Sequence, residues 1–330
     1  MRLPLFDAHC DTLSAMHASG KALWQNDLHV DLQRGQRYAP WAQFFAIFGM
    51  LGAEESSAGL DFPIWASGEA CFRAQYDLFL EGLQVNQDRL LFCRTAADAK
   101  AATLAGKTAA FLSVEGAELL GCSLDRLTEA HELGVRMVTL TWNRANAFSG
   151  TNLEETDRGL TELGRKFVRR CESLGVVVDV SHISEPGFWD VAEEMKEPFV
   201  ASHSNSAIRC PHSRNLTDDQ FLAIVKAGGV AGLNLYSEFV GADPDVDSAV
   251  AHIEHFLSLG GEKAIAIGAD LDGCESLPRG IAGVQDLEKL AEGLLRRNYA
   301  EALVHDIFYN NLFRVVEVVC SPASGEEHVR

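Results

Sequence analysis

The sequence has few residues of the kinds that bind nucleic acid or cross-link a secreted protein. Its 28 lysines and arginines are outnumbered by 47 aspartates and glutamates, which gives a net charge of -19. This balance disfavours a phosphate-binding surface, so we expect no nucleic-acid partner. The 8 cysteines are widely separated and form no C-x-x-C pair, which favours reduced, buried thiols.

The sequence also lacks long hydrophobic runs. Its most apolar stretch, residues 41–53, is interrupted by Gln43 and two glycines, and a bilayer span needs about 20 apolar residues. The opening residues MRLPLFDAHCD contain no long apolar signal core, and the closing residues CSPASGEEHVR contain no hydrophobic tail for a lipid anchor. We therefore expect a cytoplasmic protein with no membrane partner.

Eight short apolar runs recur along the chain, and most are followed by a polar segment and a stretch of helical length. Strands that are buried on both faces read as continuous apolar runs, and this rhythm is typical of a parallel α/β sheet. Eight such units predict a closed barrel. The runs are residues 3–6, 43–49, 109–114, 136–141, 175–180, 198–202, 230–235 and 264–268.

The segments between these runs predict helices, and Ser123, Ser184 and Thr217 are expected to be N-caps. Residues 52–66 lack periodicity and predict a long loop, whereas residues 285–319 predict a helical C-terminal segment. No Gly/Ser linker divides the chain, so we expect residues 1–330 to form a single domain. The other helices are expected at residues 69–83, 123–133, 156–174, 184–195, 217–227 and 247–259.

Side chains that bind metals follow five of the eight apolar runs. Because the carboxyl ends of the strands meet on one face of a parallel barrel, we expect these side chains to converge there. Imidazole and carboxylate ligands without thiolates suit zinc or another borderline divalent ion. The side chains are those of His9, Asp11, Glu115, His182, His203 and Asp270.

The first pair, His9 and Asp11, has the spacing of a strand, in which residues two apart point the same way. Together with Glu115, His182 and His203, the pair makes five candidate ligands, more than one tetrahedral ion takes. A carboxylate can bridge two ions through its two oxygens. We therefore predict two divalent ions that share Glu115.

Several motifs occur together and in a fixed order along the chain. On them, the chain resembles the renal, or membrane, dipeptidase family of zinc-dependent dipeptidases. A weaker motif, N-N-L-F-R, follows near Asn311. The motifs are F-D-A-H-C-D-T from residue 6, V-E-G-A-E around Glu115, V-S-H ending at His182, S-H-S-N-S-A-I-R-C-P-H-S-R-N from residue 202, and G-A-D-L-D-G from residue 268.

The resemblance implies a distorted (β/α)8 TIM-like barrel of the metal-dependent hydrolase type, with two zinc ions per chain. His9 and Asp11 would bind one ion and His182 and His203 the other, with Glu115 between them. A hydroxide bridging the two ions would attack the peptide carbonyl of a small dipeptide substrate.

The resemblance also assigns roles to two residues outside this ligand set. Asp270 would act as the general acid and base, and Arg214 would hold the C-terminal carboxylate of the substrate. A guanidinium group suits this role because it can bind a carboxylate through two parallel hydrogen bonds.

Two further residues are candidates for substrate binding. Trp142 stands where many relatives have a histidine, and an indole offers only one N–H donor to a substrate oxygen. Tyr236, which follows the seventh apolar run, either lines the pocket or packs beneath a helix. The resemblance leaves open which dipeptides are preferred, and a homo-oligomer is possible.

Two alternatives to a dipeptidase remain at this point. One is a related amidohydrolase or lactonase that acts on another small amide or ester. Many such enzymes bridge their metals with a carboxylated lysine, but no lysine ends an apolar run here. The other is a barrel that binds a metal ion and a small ligand without turnover.

Overall fold

The computed structural model describes residues 2–52 and 62–321. Eight parallel strands close into a barrel in the order β1, β2, β6, β7, β8, β9, β10 and β11, and β11 pairs with β1. The predicted parallel barrel is therefore confirmed, and each of the eight apolar runs overlaps one of its strands. These strands are β1 (Leu5–Asp7), β2 (Trp41–Ile47), β6 (Thr108–Glu115), β7 (Val135–Thr139), β8 (Val177–Asp179), β9 (Val200–Ala201), β10 (Val230–Leu233) and β11 (Ile265–Ile267).

Three short strands were not predicted from the sequence. β3 (Met50–Leu51) and β4 (Ile64–Trp65) pair as a separate small sheet. β5 (Leu90–Phe92) pairs with β6 before the point at which β7 joins β6. Of the long loop predicted at residues 52–66, residues 53–61 lie outside the described residues, and β4 occupies part of the remainder.

Helices follow most of the barrel strands, and the predicted N-caps are confirmed. Ser123, Ser184 and Thr217 each accept a first-turn backbone N–H. The helices are α1 (Thr12–Ser19), α2 (Leu32–Gly35), α3 (Gly68–Val85), α4 (Ala96–Leu104), α5 (Leu124–Leu133), α6 (Glu162–Leu174), α7 (Glu185–Glu194), α8 (Asp218–Ala227), α9 (Ser237–Val240), α10 (Val246–Ser258), α11 (Glu288–Arg296), α12 (Glu301–His305) and α13 (Asn311–Val319).

The prediction of a helix from residue 156 is wrong at its start, because α6 begins only at Glu162. Thr161 is the N-cap and accepts the N–H of Gly164, while the preceding residues fold back into a loop in which Gly150 donates to the carbonyl of Arg158. The segment 285–319 contains α11, α12, a π-helical turn at Asp306–Asn310 and α13, with a break between α11 and α12. That all 330 residues form one domain stays a prediction.

Both faces of the barrel wall are buried. Alternate residues of β1 and β2 fall into two separate apolar clusters: Leu5 and Phe45 belong to one, and Phe6 and Phe44 to the other. The second cluster contains stacked aromatic rings, with the Phe6 and Phe44 ring centroids 5.6 Å apart. Burial on both faces is the reason that the strands read as continuous apolar runs rather than as alternating sequence.

Glycine lets the strands approach closely beneath the site described below. A Cβ atom on Gly232 would lie 1.9 Å from the carbonyl oxygen of Ser202, and one on Gly268 would lie 1.7 Å from the same atom. The close approach of Gly232 and Gly268 to Ser202 brings together β9, β10 and β11 near their carboxyl ends, just before His203 and Asp270.

Among the described residues, no helix combines the length and apolarity that crossing a membrane requires.

Candidate active site

The candidate metal ligands after the first strand keep an extended spacing although β1 ends at Asp7. The N–H of Ala8 donates to the carbonyl of Ile267 at 2.9 Å, and the N–H of Asp11 donates to the carbonyl of Leu271 at 2.9 Å. Asp11 is also the residue before α1, but its side chain makes no capping hydrogen bond. The Asp11 carboxylate is therefore directed to the site, where its Oδ2 lies 3.4 Å from Nε2 of His9.

Glu115, the last residue of β6, lies between the two pairs of candidate ligands. Its Oε2 is 3.5 Å from Nε2 of His9. Its Oε1 is 3.0 Å from Nε2 of His182 and 3.4 Å from Nε2 of His203. The two carboxylate oxygens thus face different groups of ligand atoms, and the two groups share this one side chain.

The five side chains form two sets that could each hold a metal ion. One set is His9, Asp11 and Glu115, and the other is Glu115, His182 and His203. Nε2 of His182 lies only 3.0 Å from Nε2 of His203, and Nδ1 of His182 faces the acceptor Oδ1 of Asn143 at 3.0 Å. His182 must therefore carry its proton on Nδ1, which leaves a lone pair on Nε2 for a cation.

Further buried ligand atoms also fit a cation. Oδ1 of Asp11 and Nε2 of His9, the ring nitrogen that faces the site, have no hydrogen-bond partner in the described part of the chain. Imidazole nitrogens and carboxylate oxygens together suit zinc or a similar divalent ion. The residues present therefore fit a pair of bound metal ions.

The pKa values of the site reflect its buried negative charge. Burial lowers the pKa of His9, but the carboxylates of Glu115 and Asp11 outweigh it and hold that pKa well above its usual value. Burial and the Glu115 carboxylate raise the pKa of Asp11 to about 7, although His9 opposes the shift. Burial and the Arg214 guanidinium lower the pKa of His182 to about 3, so this imidazole is neutral at neutral pH.

Burial also raises the pKa of Glu115, but the neighbouring rings of His9, His182 and His203 together outweigh burial and hold this pKa well below its usual value. An ionised Glu115 beside Asp11 repels that second carboxylate. A cation bound among these groups would offset the repulsion and would replace the proton on His9.

Asp270 follows β11 and faces the same group of ligands. Its Oδ1 lies 3.8 Å from Nε2 of His9, and its Oδ2 accepts a hydrogen bond from Nδ2 of Asn234 at 2.9 Å. Its backbone is in the left-handed region, with φ of 58°. A Cβ atom on Gly273 would lie 2.1 Å from Oδ2 of Asp11 and 2.4 Å from Oδ1 of Asp270, so glycine leaves room for both carboxylates.

Asp272 is two residues further along but has a different role. Its carboxylate accepts the hydroxyl of Thr12 at 2.7 Å and the N–H of His29 at 2.6 Å. These bonds tie the loop after β11 to the segments around α1 and α2. The D-x-D-G sequence therefore contains one aspartate at the site and one that holds a turn.

Arg214 lies in a cavity of about 460 Å³ that is also lined by Asp11, Glu115 and Asp270. The side chain is 5% exposed, and its Nη2 donates to the carbonyl of His203 at 3.4 Å. Its Nε has no hydrogen-bond partner among the described residues. A buried cation with a spare donor beside the ligand cluster is suited to hold an anionic group.

Trp142 and Tyr236 line the same cavity. Trp142 packs edge-on against Phe48, with ring centroids 4.9 Å apart, and its ring lies 6.4 Å from that of His182. Tyr236 packs edge-on against Phe239 at 4.8 Å. Of the two positions predicted for Tyr236, the structure places it in the wall of the pocket.

Three residues at the site were missed in the sequence. Asn143 contacts His182, and Asn234 contacts Asp270. His212, which was not among the predicted site residues, lines the cavity, and its Nδ1 accepts the N–H of Arg214 at 3.1 Å. Asn234 had a signal that could have identified it, because it is a polar residue inside an apolar run.

His252 lies outside the site and is fully buried in α10. Its Nε2 donates to the carbonyl of Val240 at 3.0 Å, and its Nδ1 accepts the N–H of Ser206 at 3.2 Å. Burial lowers the pKa of His252 to about 4, against the opposing hydrogen bond to Val240. Both ring nitrogens are therefore used by the backbone, and the ring is neutral at neutral pH.

Comparison with known proteins identifies the family. The model of the membrane dipeptidase family, peptidase family M19, matches residues 1–328. The chain belongs to this family. It is therefore a hydrolase of the metallopeptidase class, and the alternative of a barrel that binds ligands without turnover is wrong.

Several members of the family and its structural relatives are similar over most of the chain. An uncharacterized protein in the pqqA 5' region of Klebsiella pneumoniae is 35% identical over 243 residues, which is 70% of this chain and 89% of that protein. The crystal structure of a metallo peptidase from Rhodobacter sphaeroides, liganded with a phosphinate mimic of the dipeptide L-Ala-D-Ala, has a TM-score of 0.86 at 28% identity. That match covers 97% of this chain and 100% of the Rhodobacter chain.

A second solved structure, a metallo peptidase of family M19 described as dipeptidase AC, has a TM-score of 0.85 at 29% identity. It covers 98% of this chain and 100% of its own. These similarities support dipeptide hydrolysis at the level of the family.

Proposed function

We propose that the protein hydrolyses free dipeptides at a centre of two zinc ions. The observation that carries this proposal is the position of Glu115, whose two oxygens face His9 on one side and His182 and His203 on the other. His9, Asp11 and Glu115 would hold one ion, and Glu115, His182 and His203 the second. When bound, such ions acidify a water molecule and polarise a substrate carbonyl.

Asp270 is the proposed general acid and base. Its Oδ2 is oriented by Asn234, and its Oδ1 lies on the side of His9. From there the carboxylate can accept a proton from the attacking water and return it to the leaving amine. Glu115 would contribute to the reaction by offering one carboxylate oxygen to each metal set and so fixing the position of the two sets relative to each other.

Arg214 is proposed to bind the C-terminal carboxylate of the substrate. The guanidinium is buried in the cavity that contains the candidate ligands, and its Nε, which has no partner in the described ranges 2–52 and 62–321, could donate to a substrate. An anchor for the carboxylate one residue beyond the cleaved bond limits the substrate to two residues. Trp142 and Tyr236 would contact the substrate side chains from the walls of the cavity.

The relative from Rhodobacter sphaeroides is liganded with a mimic of L-Ala-D-Ala. We therefore include dipeptides with a D-residue at the C-terminus among the proposed substrates. The role of Glu115 as the bridge leaves no need for a carboxylated lysine, which disfavours the related lactonase as an alternative. A cytoplasmic location, the absence of a nucleic-acid partner and a possible homo-oligomer stay predictions from the sequence.

The test combines metal analysis with a substrate panel. Purified protein is assayed for zinc content and for cleavage of L-L and L-D dipeptides, matched tripeptides, dipeptide amides and simple lactones. We expect two zinc ions per chain and cleavage restricted to free dipeptides. Full activity with reproducibly one ion would contradict the dinuclear centre, and equal cleavage of tripeptides or preferential cleavage of lactones would contradict the dipeptidase.

A further inference from the structure

Asp179 is not among the proposed ligands, but it ends β8 close to the two histidines of the second metal set. The residue is fully buried, and its carboxylate accepts four hydrogen bonds. Oδ1 accepts the backbone N–H of Ser181 at 2.9 Å and that of Ser202 at 2.8 Å. Oδ2 accepts the hydroxyls of Thr139 and Ser202, both at 2.6 Å. Both oxygens of Asp179 therefore act as acceptors only.

The hydrogen bonds of Ser202 then have a defined direction. Its Oγ lies 2.6 Å from Oδ2 of Asp179 and 2.7 Å from Nδ1 of His203. A hydroxyl carries one proton, and here the carboxylate receives it. The oxygen of Ser202 must accept the bond from the ring, so Nδ1 of His203 carries a proton.

The position of this proton decides what the other nitrogen of His203 can do. With the Nδ1 proton held in place, Nε2 is the nitrogen left to bind a cation, and it lies 3.4 Å from Oε1 of Glu115 and 3.0 Å from Nε2 of His182. Histidines that bind metals usually donate their second ring N–H to a carboxylate, carbonyl or water, which fixes the tautomer and the ring orientation. In this protein a serine hydroxyl lies between the carboxylate and the histidine.

We infer that Asp179 is a positioning residue that acts through the Ser202 hydroxyl to hold His203 in the tautomer able to bind a metal ion. The inference rests on the metal centre proposed above. It adds a chain from Asp179 through Ser202 to His203, which we call the Asp179 relay.

Asp7 provides a comparison within the same molecule, because it ends β1 as Asp179 ends β8. Its Oδ1 accepts the N–H of His9 at 3.3 Å and that of Ala269 at 2.9 Å, the same backbone arrangement as around Asp179. Among the described residues, however, Oδ2 of Asp7 and Nδ1 of His9 have no hydrogen-bond partner. Both aspartates hydrogen-bond backbone N–H groups of neighbouring strand ends. Of the two, only Asp179 is linked through a hydroxyl, that of Ser202, to the ring of a proposed metal ligand, His203.

The substitution Asp179→Asn tests the relay because it keeps the size of the side chain and reverses the direction of the hydrogen bond between residue 179 and Ser202. The amide oxygen must face the two backbone N–H groups, so the amide nitrogen faces Ser202 and donates to it. The Ser202 hydroxyl then donates to Nδ1 of His203, which moves the ring proton to Nε2. We expect ¹⁵N chemical shifts of the metal-free variant to report this change of tautomer.

Metal affinity gives the second measurement. Titration with zinc against a chelating indicator is expected to show that Asp179→Asn weakens one of the two ions by about 10–100-fold in Kd, the usual effect of removing such a partner. Thr139→Val is the matched control, because it removes the other hydroxyl from the same carboxylate oxygen but leaves Ser202 and His203 in contact. The control should keep the Nδ1-protonated tautomer and nearly the native zinc affinity.

The relay is refuted by a folded Asp179→Asn protein in which His203 stays protonated on Nδ1 and both zinc affinities are native. A change of tautomer in Thr139→Val equal to that in Asp179→Asn would also refute it, since the effect would then be one of packing. If Asp179→Asn does not fold, Ser202→Ala decides by the same two measurements, with a mixture of tautomers and weaker zinc binding expected. Because the tautomer is measured without metal or substrate, failure of the relay is distinguishable from failure of the proposed dipeptidase activity.

Discussion

The replacement Arg214→Met gives the most direct test of how the protein selects its substrate. Arg214 is 5% exposed, and burial lowers the pKa of its guanidinium although the carboxylates of Asp270, Glu115 and Asp179 oppose this shift. Loss of a buried charge-assisted pair costs about 2–5 kcal/mol, which corresponds to about 30-fold to several thousandfold in kcat/KM. We expect a loss of this size for free dipeptides.

The dipeptide amide of the same sequence serves as the reference substrate. It has no terminal carboxylate, so the native enzyme should cleave it poorly, and the substitution should change its kcat/KM much less. The quantity to measure is the ratio of kcat/KM for the free dipeptide to that for the amide, in the native protein and in the variant. An unchanged ratio would refute the role of Arg214 and would remove the main physical support for a preference for dipeptides.

Two controls separate recognition from damage to the fold. Arg209→Met removes an exposed arginine from the same loop and should leave the ratio and the activity unchanged. Thermal unfolding of Arg214→Met should show no loss of stability, because the substitution removes a charge for which the cost of burial outweighs the attraction of Asp270, Glu115 and Asp179. A marked fall in Tm together with equal losses on both substrates would show that the arginine is structural.

Four further predictions concern the rest of the molecule. Glu115→Gln removes the anionic side chain that the two proposed metal sets share, so zinc content measured by metal analysis should fall at both positions in parallel with activity. Asp270→Asn should retain its metal ions but reduce kcat by about 10²–10⁴-fold, the usual contribution of general acid–base catalysis, and a near-native kcat in zinc-replete protein would reject the role. Gly273→Ala would place a Cβ 2.1 Å from the Asp11 carboxylate; we expect a folded protein, by circular dichroism, with weakened zinc binding. Burial lowers the pKa of His252 to about 4 in the folded protein. Between about pH 6.5 and pH 4 the unfolded chain therefore binds a proton that the folded chain does not, so the free energy of unfolding should fall by up to about 3 kcal/mol over this range. The free energy of unfolding in urea should change less between pH 7.5 and pH 4.5 in His252→Gln than in the native protein. An equal change in the two proteins would contradict the role of His252.

The closed parallel barrel and the face that carries the candidate site could be predicted because both follow from local patterns. A strand buried on both faces needs consecutive apolar residues, so β2 and β6 are visible as runs in the sequence. The carboxyl ends of parallel strands meet on one face, so a ligand-type residue after a run is expected to reach the same site. On this basis the sequence alone predicts that His9, Glu115 and His203 lie close together.

The short strands and the α6 boundary could not be predicted in this way. β5 has three residues, too few to show a period, and its pairing depends on the neighbouring β6. Residues 156–161 continue a helical pattern, but a loop bound to residues elsewhere in the fold holds them out of α6. For example, the N–H of Leu160 donates to Asp190 at 2.7 Å.

Only the tertiary structure decided which polar residues support the site. Asp270 and Asp272 have the same residue type and similar surroundings in the sequence, yet Asp272 accepts a hydrogen bond from Thr12, which is 260 positions away. The contact of Asn234 with Asp270 and the contact of Ser202 with Asp179 likewise join separate strands. The sequence determined the barrel and the ligand types, because these depend on each residue and its near neighbours. The structure decided the orientation, partner and protonation of each group, because those depend on side chains that folding brings from distant parts of the chain.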